Sequence, residues 1–73
     1  MSRLPVVSGR EAAKAFEKDG WTLVRWRGSH MILTKEGKEA TLSIPDHREL
    51  GRGLLRSLIR DASLTVEGFN RLF

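Results

Sequence analysis

Residues 21–44, WTLVRWRGSHMILTKEGKEATLSI, decide the fold. Trp21 to Trp26 is rich in β-branched and aromatic side chains and stops at Arg27-Gly28-Ser29, which predicts a strand running into a tight turn. His30 to Lys35 reads as a second strand. Glu36-Gly37-Lys38 then puts a glycine at the tip of a short loop, and Ala40, Leu42 and Ile44 alternate with Thr41 and Ser43 in the period of two that marks a half-buried strand. Three antiparallel strands in a meander are expected, with Pro45 closing the third because it has no N–H to give to a ladder.

The segments on either side supply helices. Ser8 followed three residues later by Glu11 is a capping-box pattern, with Val7 and Ala12 as the accompanying apolar pair. Ala12, Ala13, Ala15 and Phe16 form a stripe at helical spacing, Lys14, Glu17 and Lys18 lie outside it, and Gly20 suits a left-handed cap after Asp19. This predicts a helix over Ser8 to Asp19, preceded by an extended arm at Leu4, Pro5 and Val6. Beyond the strands, the polar loop Asp46-His47-Arg48-Glu49 leads to Gly51-Arg52-Gly53. Leu54, Leu55, Leu58, Ile59 and Ala62 then mark a second amphipathic helix whose outer face carries Arg52, Arg56 and Arg60. Thr65 can cap a last helix, Val66 to Phe73, with Val66, Phe69, Leu72 and Phe73 closing the core. The order α-β-β-β-α-α predicts an α+β two-layer sandwich, a three-stranded antiparallel sheet with one wet face and helices on the other. A single domain over residues 1–73 is expected, since folding a chain this short removes only about 60% of its surface from water and one core must serve it all.

The 73 residues carry 13 Lys plus Arg against 9 Asp plus Glu, a net charge of +4 and a pI of about 10.4. Nine of the cations are Arg, whose planar fork matches phosphate, so an anionic partner is expected. With no Cys there is neither a disulfide framework nor a thiolate metal site, which points to a reducing cytoplasm. No apolar run approaches the roughly 20 residues of a membrane helix, and Met1-Ser2-Arg3-Leu4-Pro5 has no signal-peptide core. His30 and His47 have no cluster of further ligands around them in sequence, so no metal and no cofactor are expected.

His30 is the candidate for chemistry. If Met31 and Leu33 face the helices, alternation turns His30, Ile32 and Thr34 to the open face of the sheet. An imidazole there can both take and give a proton near neutral pH. Arg25, Arg27 and Lys35 are expected to cluster with it on the first hairpin, and Trp26 to offer a flat ring to a base. Cations beside an imidazole suggest phosphodiester chemistry on RNA, which carries its own nucleophile, the 2′-OH, and needs positioning, two proton transfers and charge stabilisation. The structural alternatives are a surface histidine without a role and a charged strand edge that deters aggregation. Arg52, Arg56 and Arg60 place like charges four residues apart, which costs stability unless Glu49 and Asp61, or a phosphate, compensate. For His47, a cap ahead of the second helix is favoured over a second proton-transfer group.

Ser8-Gly9-Arg10-Glu11, Gly20-Trp21, Val24-Arg25 and above all Arg27-Gly28-Ser29-His30 form one block. Ile44-Pro45 through His47, with Gly53-Leu54-Leu55-Arg56-Ser57-Leu58-Ile59-Arg60-Asp61-Ala62, forms another. Together, in order, they resemble the HicA toxins, small bacterial mRNA interferases of HicA/HicB toxin-antitoxin modules. The resemblance implies a fold like that of double-stranded-RNA-binding domains, used here as a metal-independent endoribonuclease that cleaves mRNA and so blocks translation. It implies His30 as the catalytic residue, and a HicB-like antitoxin that masks the site and binds the operator DNA in place of this chain. The RNA-binding set is then expected to be Arg25, Arg27, Gly28, Ser29 and Lys35, acting on single-stranded RNA. Two positions depart from the family pattern. Leu54 stands where Thr is usual, read as a lost helix cap, and Ser63 stands where Gly is usual, read as a changed C-terminal cap. The competing class is a non-catalytic RNA-binding module of the same fold, which has no need of a strand histidine.

Overall fold

The first helix begins where side chains satisfy its free backbone amides. The Glu11 N–H donates to Ser8 Oγ at 3.0 Å and the Ser8 N–H donates to Glu11 Oε1 at 2.8 Å, a closed capping box. The computed structural model, which describes residues 3–73, places α1 at Gly9–Lys18. Met1 and Ser2, the start of the segment read for a signal-peptide core, lie outside the described residues. At the other end of α1 the Trp21 N–H donates to the Phe16 carbonyl and the Gly20 N–H to that of Glu17. This is a Schellman motif, and it requires the left-handed backbone that Gly20 adopts at φ 101°.

The same motif closes α2 (Arg52–Asp61), where the Leu64 N–H reaches Ile59 and the Ser63 N–H reaches Arg60. Its left-handed position is occupied by Ser63, at φ 60°, so a residue with a Cβ takes the conformation glycine takes in α1. The start of α2 differs from expectation. Gly51 is the N-cap, with no side-chain hydrogen bond, and the helix begins at Arg52. Leu54 therefore lies inside the first turn, where no cap is called for, and at 38% exposed it stays outside the core. In α3 (Val66–Asn70) the Gly68 N–H donates to Thr65 Oγ1. This helix stops short of the predicted end. Phe69 is fully buried 5.0 Å from Phe16, whereas Phe73 is 57% exposed and meets Phe69 edge-on from outside.

The sheet comprises β1 (Thr22–Arg27), β2 (His30–Thr34) and β3 (Leu42–Pro45), antiparallel in the order β1-β2-β3. With the helices it makes the expected α+β sandwich of a double-stranded-RNA-binding-domain-like fold, in the order α-β-β-β-α-α. Gly28 and Ser29 make the first turn, with positive φ only at Gly28, the distribution of a type II′ hairpin. One irregularity sets the faces. The register runs Leu23 to Leu33 and then Arg25 to Ile32, so Val24 is an extra residue in β1. Such a bulge shifts the phase of alternation by one. Leu23 and Trp26 both pair with core-facing residues, Leu33 and Met31, while Arg25 and Arg27 pair with Ile32 and His30 on the opposite face.

The core gathers under the helices around Phe16, Leu33, Leu42, Ile44, Leu55 and Phe69, all fully buried. Ile32 corrects the expectation of a wholly wet outer face. It is only 5% exposed although it stands apart from that core, because it is flanked in the middle strand by Arg25 on one side and Ser43 on the other.

Replacing Ser63 with Gly is expected to stabilise the fold by about 1 kcal/mol, the lower end of the cost of left-handed backbone for a residue with a side chain. The Lys38 ammonium that donates to Ser63 Oγ is exposed, so removing this hydrogen bond offsets little. Thermal unfolding should register a rise of roughly 4–8 °C for a chain of this size. An unchanged or lower midpoint would mean that the Lys38 hydrogen bond matches or outweighs the backbone term.

Candidate active site

His30 is the first residue of β2, directly after the Gly28-Ser29 turn, and it is exposed. Its register neighbours are Arg27 on β1 and Pro45 on β3. Directly opposed residues on one face have Cβ atoms roughly 4.5–5.5 Å apart, so the imidazole and the Arg27 guanidinium share one patch. The next row along the same face is Arg25, Ile32 and Ser43. Among the described residues, the side chains of His30, Arg25 and Arg27 have no hydrogen-bond or ion-pair partner. Two uncommitted cations and an imidazole on an open surface can meet a phosphate without first breaking an interaction within the protein.

Backbone and a charged clasp hold this patch to the rest of the molecule. The Asp46 N–H donates to the Ser29 carbonyl at 2.9 Å, tying the turn before His30 to the segment after β3. The Asp46 carboxylate accepts both arms of the Arg10 fork, from Nε and Nη2 at 3.1 Å each. Arg10 in turn lies 5.7 Å from the centre of the Trp26 ring, a cation–π distance. Hydrogen bonding from Arg10 holds the Asp46 carboxyl below the usual aspartate range; desolvation opposes this, and the charges of Arg10 and His47 add to it. The Arg10 guanidinium is raised correspondingly, chiefly by its hydrogen bonds to Asp46.

Arg10 and Asp46 cannot be singled out residue by residue, because they are 36 positions apart and neither breaks a local pattern. The signal that points to them is that both lie inside the two blocks that carry the family resemblance.

The remaining sequence candidates are placed differently. Lys35 lies beyond the far end of β2, a strand length of roughly 17 Å from His30 at 3.3 Å per residue, and pairs with Asp19 at 3.4 Å. It does not join the first-hairpin cluster. Trp26, paired with Met31, belongs to the helix side of the sheet and packs under Arg10, so it does not flank the imidazole. His47 does not cap α2, whose N-cap is Gly51; its carbonyl accepts from the Gly9 N–H at 2.9 Å and so serves the start of α1. Arg60 has only the adjacent Asp61 at 4.0 Å, and Glu49 pairs with none of the three helix arginines. Among the described residues no group of three His, Asp or Glu is arranged to hold a metal ion, and no helix is long and apolar enough to cross a membrane.

A protein-family model described as the HicA toxin of bacterial toxin-antitoxin systems matches residues 9–64, which is more than half of the 73-residue chain. The matched span begins at the first residue of α1 and includes His30, Arg10 and Asp46. No curated protein matches the chain.

The clasp makes a pH-dependent prediction. Because the folded-state pKa of Asp46 is depressed, the Arg10 ion pair is fully present above the usual aspartate range and disappears as pH falls through the folded value. An NMR titration following the Asp46 carboxyl carbon should find its midpoint below that range in the wild type and within it in Arg10→Gln. Identical midpoints in the two proteins would mean that the clasp does not form in solution.

Proposed function

The chain belongs to the HicA toxins of bacterial toxin-antitoxin systems, and from that premise we propose that it is a metal-independent endoribonuclease acting on mRNA, with His30 as its catalytic residue. Membership implies a HicB antitoxin as partner. The 73 residues are proposed to form one toxin domain working in the cytoplasm.

The observation that carries the reading is the pairing of exposed His30 with Arg27 in one register row, with Arg25 in the next and no carboxylate beside them on those rows. RNA supplies the nucleophile. The 2′-OH attacks the adjacent phosphorus, the bond to the 5′-oxygen breaks, and a 2′,3′-cyclic phosphate and a free 5′-OH result. One proton leaves the attacking oxygen and one reaches the leaving oxygen, and His30 serves as general acid or base in this exchange. Arg25 and Arg27 hold the phosphate and oppose the charge that builds on its oxygens, with the turn at Gly28 and Ser29 giving the strand close access. A shallow open face suits this reaction, because positioning and charge stabilisation supply most of what the protein must add.

Lys35 stays in the proposed RNA-binding set as an outlying phosphate ligand, weaker than the two arginines because Asp19 already engages its ammonium. The antitoxin is proposed to act by covering the His30 face.

Replacing His30 with Ala should leave the fold intact, since the side chain is exposed and unpartnered, and should lower cleavage of single-stranded RNA by about 100-fold or more. Cleavage by the wild type should persist in EDTA. RNA that is bound but cut equally well by the wild type and His30→Ala would overturn the catalytic assignment, and loss of cleavage on chelation would overturn metal independence.

Replacing Arg25 or Arg27 with Gln should weaken binding of all RNA sequences alike and lower the slope of log K against log salt by roughly 0.7 for each single-strand phosphate that is no longer neutralised. Lys35→Gln should change the slope by less. Slopes that match the wild type in Arg25→Gln and Arg27→Gln would assign both residues to a solvated edge.

A further inference from the structure

The helix stripe that the sequence leaves without a partner becomes part of a groove. Arg52 and Arg56, one turn apart on α2, line a shallow depression of about 500 Å³ together with Arg3, Leu4 and Val6 of the N-terminal arm. Three arginines line it, and among the described residues none of them has an ion-pair partner. Like charges at a spacing of four destabilise a helix, so the arrangement gains only when an anion sits between them.

Both walls of the groove are held by the fold. The Asn70 side-chain amide donates to the Arg3 carbonyl at 3.0 Å, and Leu4 is buried in the core, so the arm is pinned at its start. The Leu50 N–H donates to the Val7 carbonyl at 2.9 Å, which ties the arm to the residues just ahead of α2. The first turn of α2 has no acidic residue and no side-chain cap, so its free amides add to the positive field.

We infer that this groove is a second phosphate-binding subsite for the RNA strand that passes His30. The inference rests on the proposed RNA-cutting function. Pro45, the register partner of His30, lies seven positions before Arg52, a path of at most about 25 Å, and along it the exposed His47 and Arg48 stand between Asp46, whose charge Arg10 engages, and the exposed Glu49. A strand continuing from His30 beside this segment reaches the groove after a few nucleotides. Its lining favours a nucleic-acid backbone over a protein partner. Arginine forks match phosphate geometry, and among the described residues lining the groove Val6 is the only exposed large hydrophobic one, whereas stable protein interfaces have an apolar centre.

The test compares 2′-O-methyl oligonucleotides, which lack the 2′-OH and resist cleavage, at about four and about twelve nucleotides, the range of single-strand site sizes. Binding of each is measured by fluorescence anisotropy across a salt series for the wild type and the double variant Arg52→Gln, Arg56→Gln, whose substitutions are exposed and keep good helix formers. The longer strand should bind the double variant on the order of tenfold more weakly, with a salt slope lower by about 1.4, while the shorter strand binds both proteins alike. Wild-type affinity and slope for the longer strand in the double variant overturn the subsite and leave the RNA reading intact. Equal weakening for both lengths overturns it as well, since the effect is then not local to the groove. A double variant that binds RNA normally but binds HicB antitoxin more weakly assigns the groove to the protein partner and also overturns the subsite. If the wild type binds neither strand, the RNA-cutting function fails together with it.

Discussion

The structure depends on how closely α1 approaches the end of β3. A Cβ on Gly9 would stand 1.9 Å from the Pro45 carbonyl oxygen, a distance no side chain can occupy, so only glycine lets the helix start against that backbone. The approach brings the Gly9 N–H onto the His47 carbonyl, and the next residue, Arg10, onto the Asp46 carboxylate. Because Asp46 also bonds the Ser29 carbonyl, one seam joins the first helix, the end of the third strand and the turn that precedes His30. The patch around His30 is therefore anchored by backbone hydrogen bonds, and its side chains remain free for a ligand.

A second constraint divides the two faces of the sheet. Strict alternation in β1 would put Leu23 on the same face as Arg25 and Arg27, and either the leucine would leave the core or the arginines would enter it. The extra residue at Val24 resolves the conflict: Leu23 packs inward and both arginines turn outward beside His30. Its cost is exposed apolar surface on the edge strand, Val24 at 48%, beside a Trp26 ring that is part-covered by Arg10. Uncommitted cations thus collect on the outer face near the first turn and again where the N-terminal arm meets α2. Two of the cations that are committed, Arg10 and Lys35, brace loops instead.

Local signals are legible in the sequence where the deciding interactions are local. The capping box at Ser8 and Glu11, the left-handed Gly20, the tight turn at Gly28-Ser29 and the cap at Thr65 each involve residues within a few positions of one another, and each stands where the sequence places it. The element order and the exposure of His30 are legible for the same reason, because period and turn chemistry are carried by neighbours. Expectation and structure part where a distant partner decides. Leu54 has the spacing of a core residue, but α2 docks with its first turn facing water; Phe73 has it too, but Phe69 fills the space.

The sequence by itself determined the α+β order, both ends of α1, the cap of α3, the hairpin at Gly28-Ser29 and the family, since all of these are encoded in short-range patterns and in the motif blocks around His30 and His47. Only the tertiary structure decided that Lys35 stays away from the His30 face and that Leu23 packs into the core. Alternation counted back from the turn sets Arg25 and Arg27 beside His30 and Trp26 on the other face, but it cannot reveal the bulge at Val24, which emerges from pairing with β2 and lets Leu23 pack inward as well. Nor can it say that Lys35 is held by Asp19, that Arg10 grips Asp46 across 36 residues, or that Arg3 meets Arg52 and Arg56. Those pairings come from chain closure over long separations, where position in space is set by packing of the whole core and no local residue pattern records it.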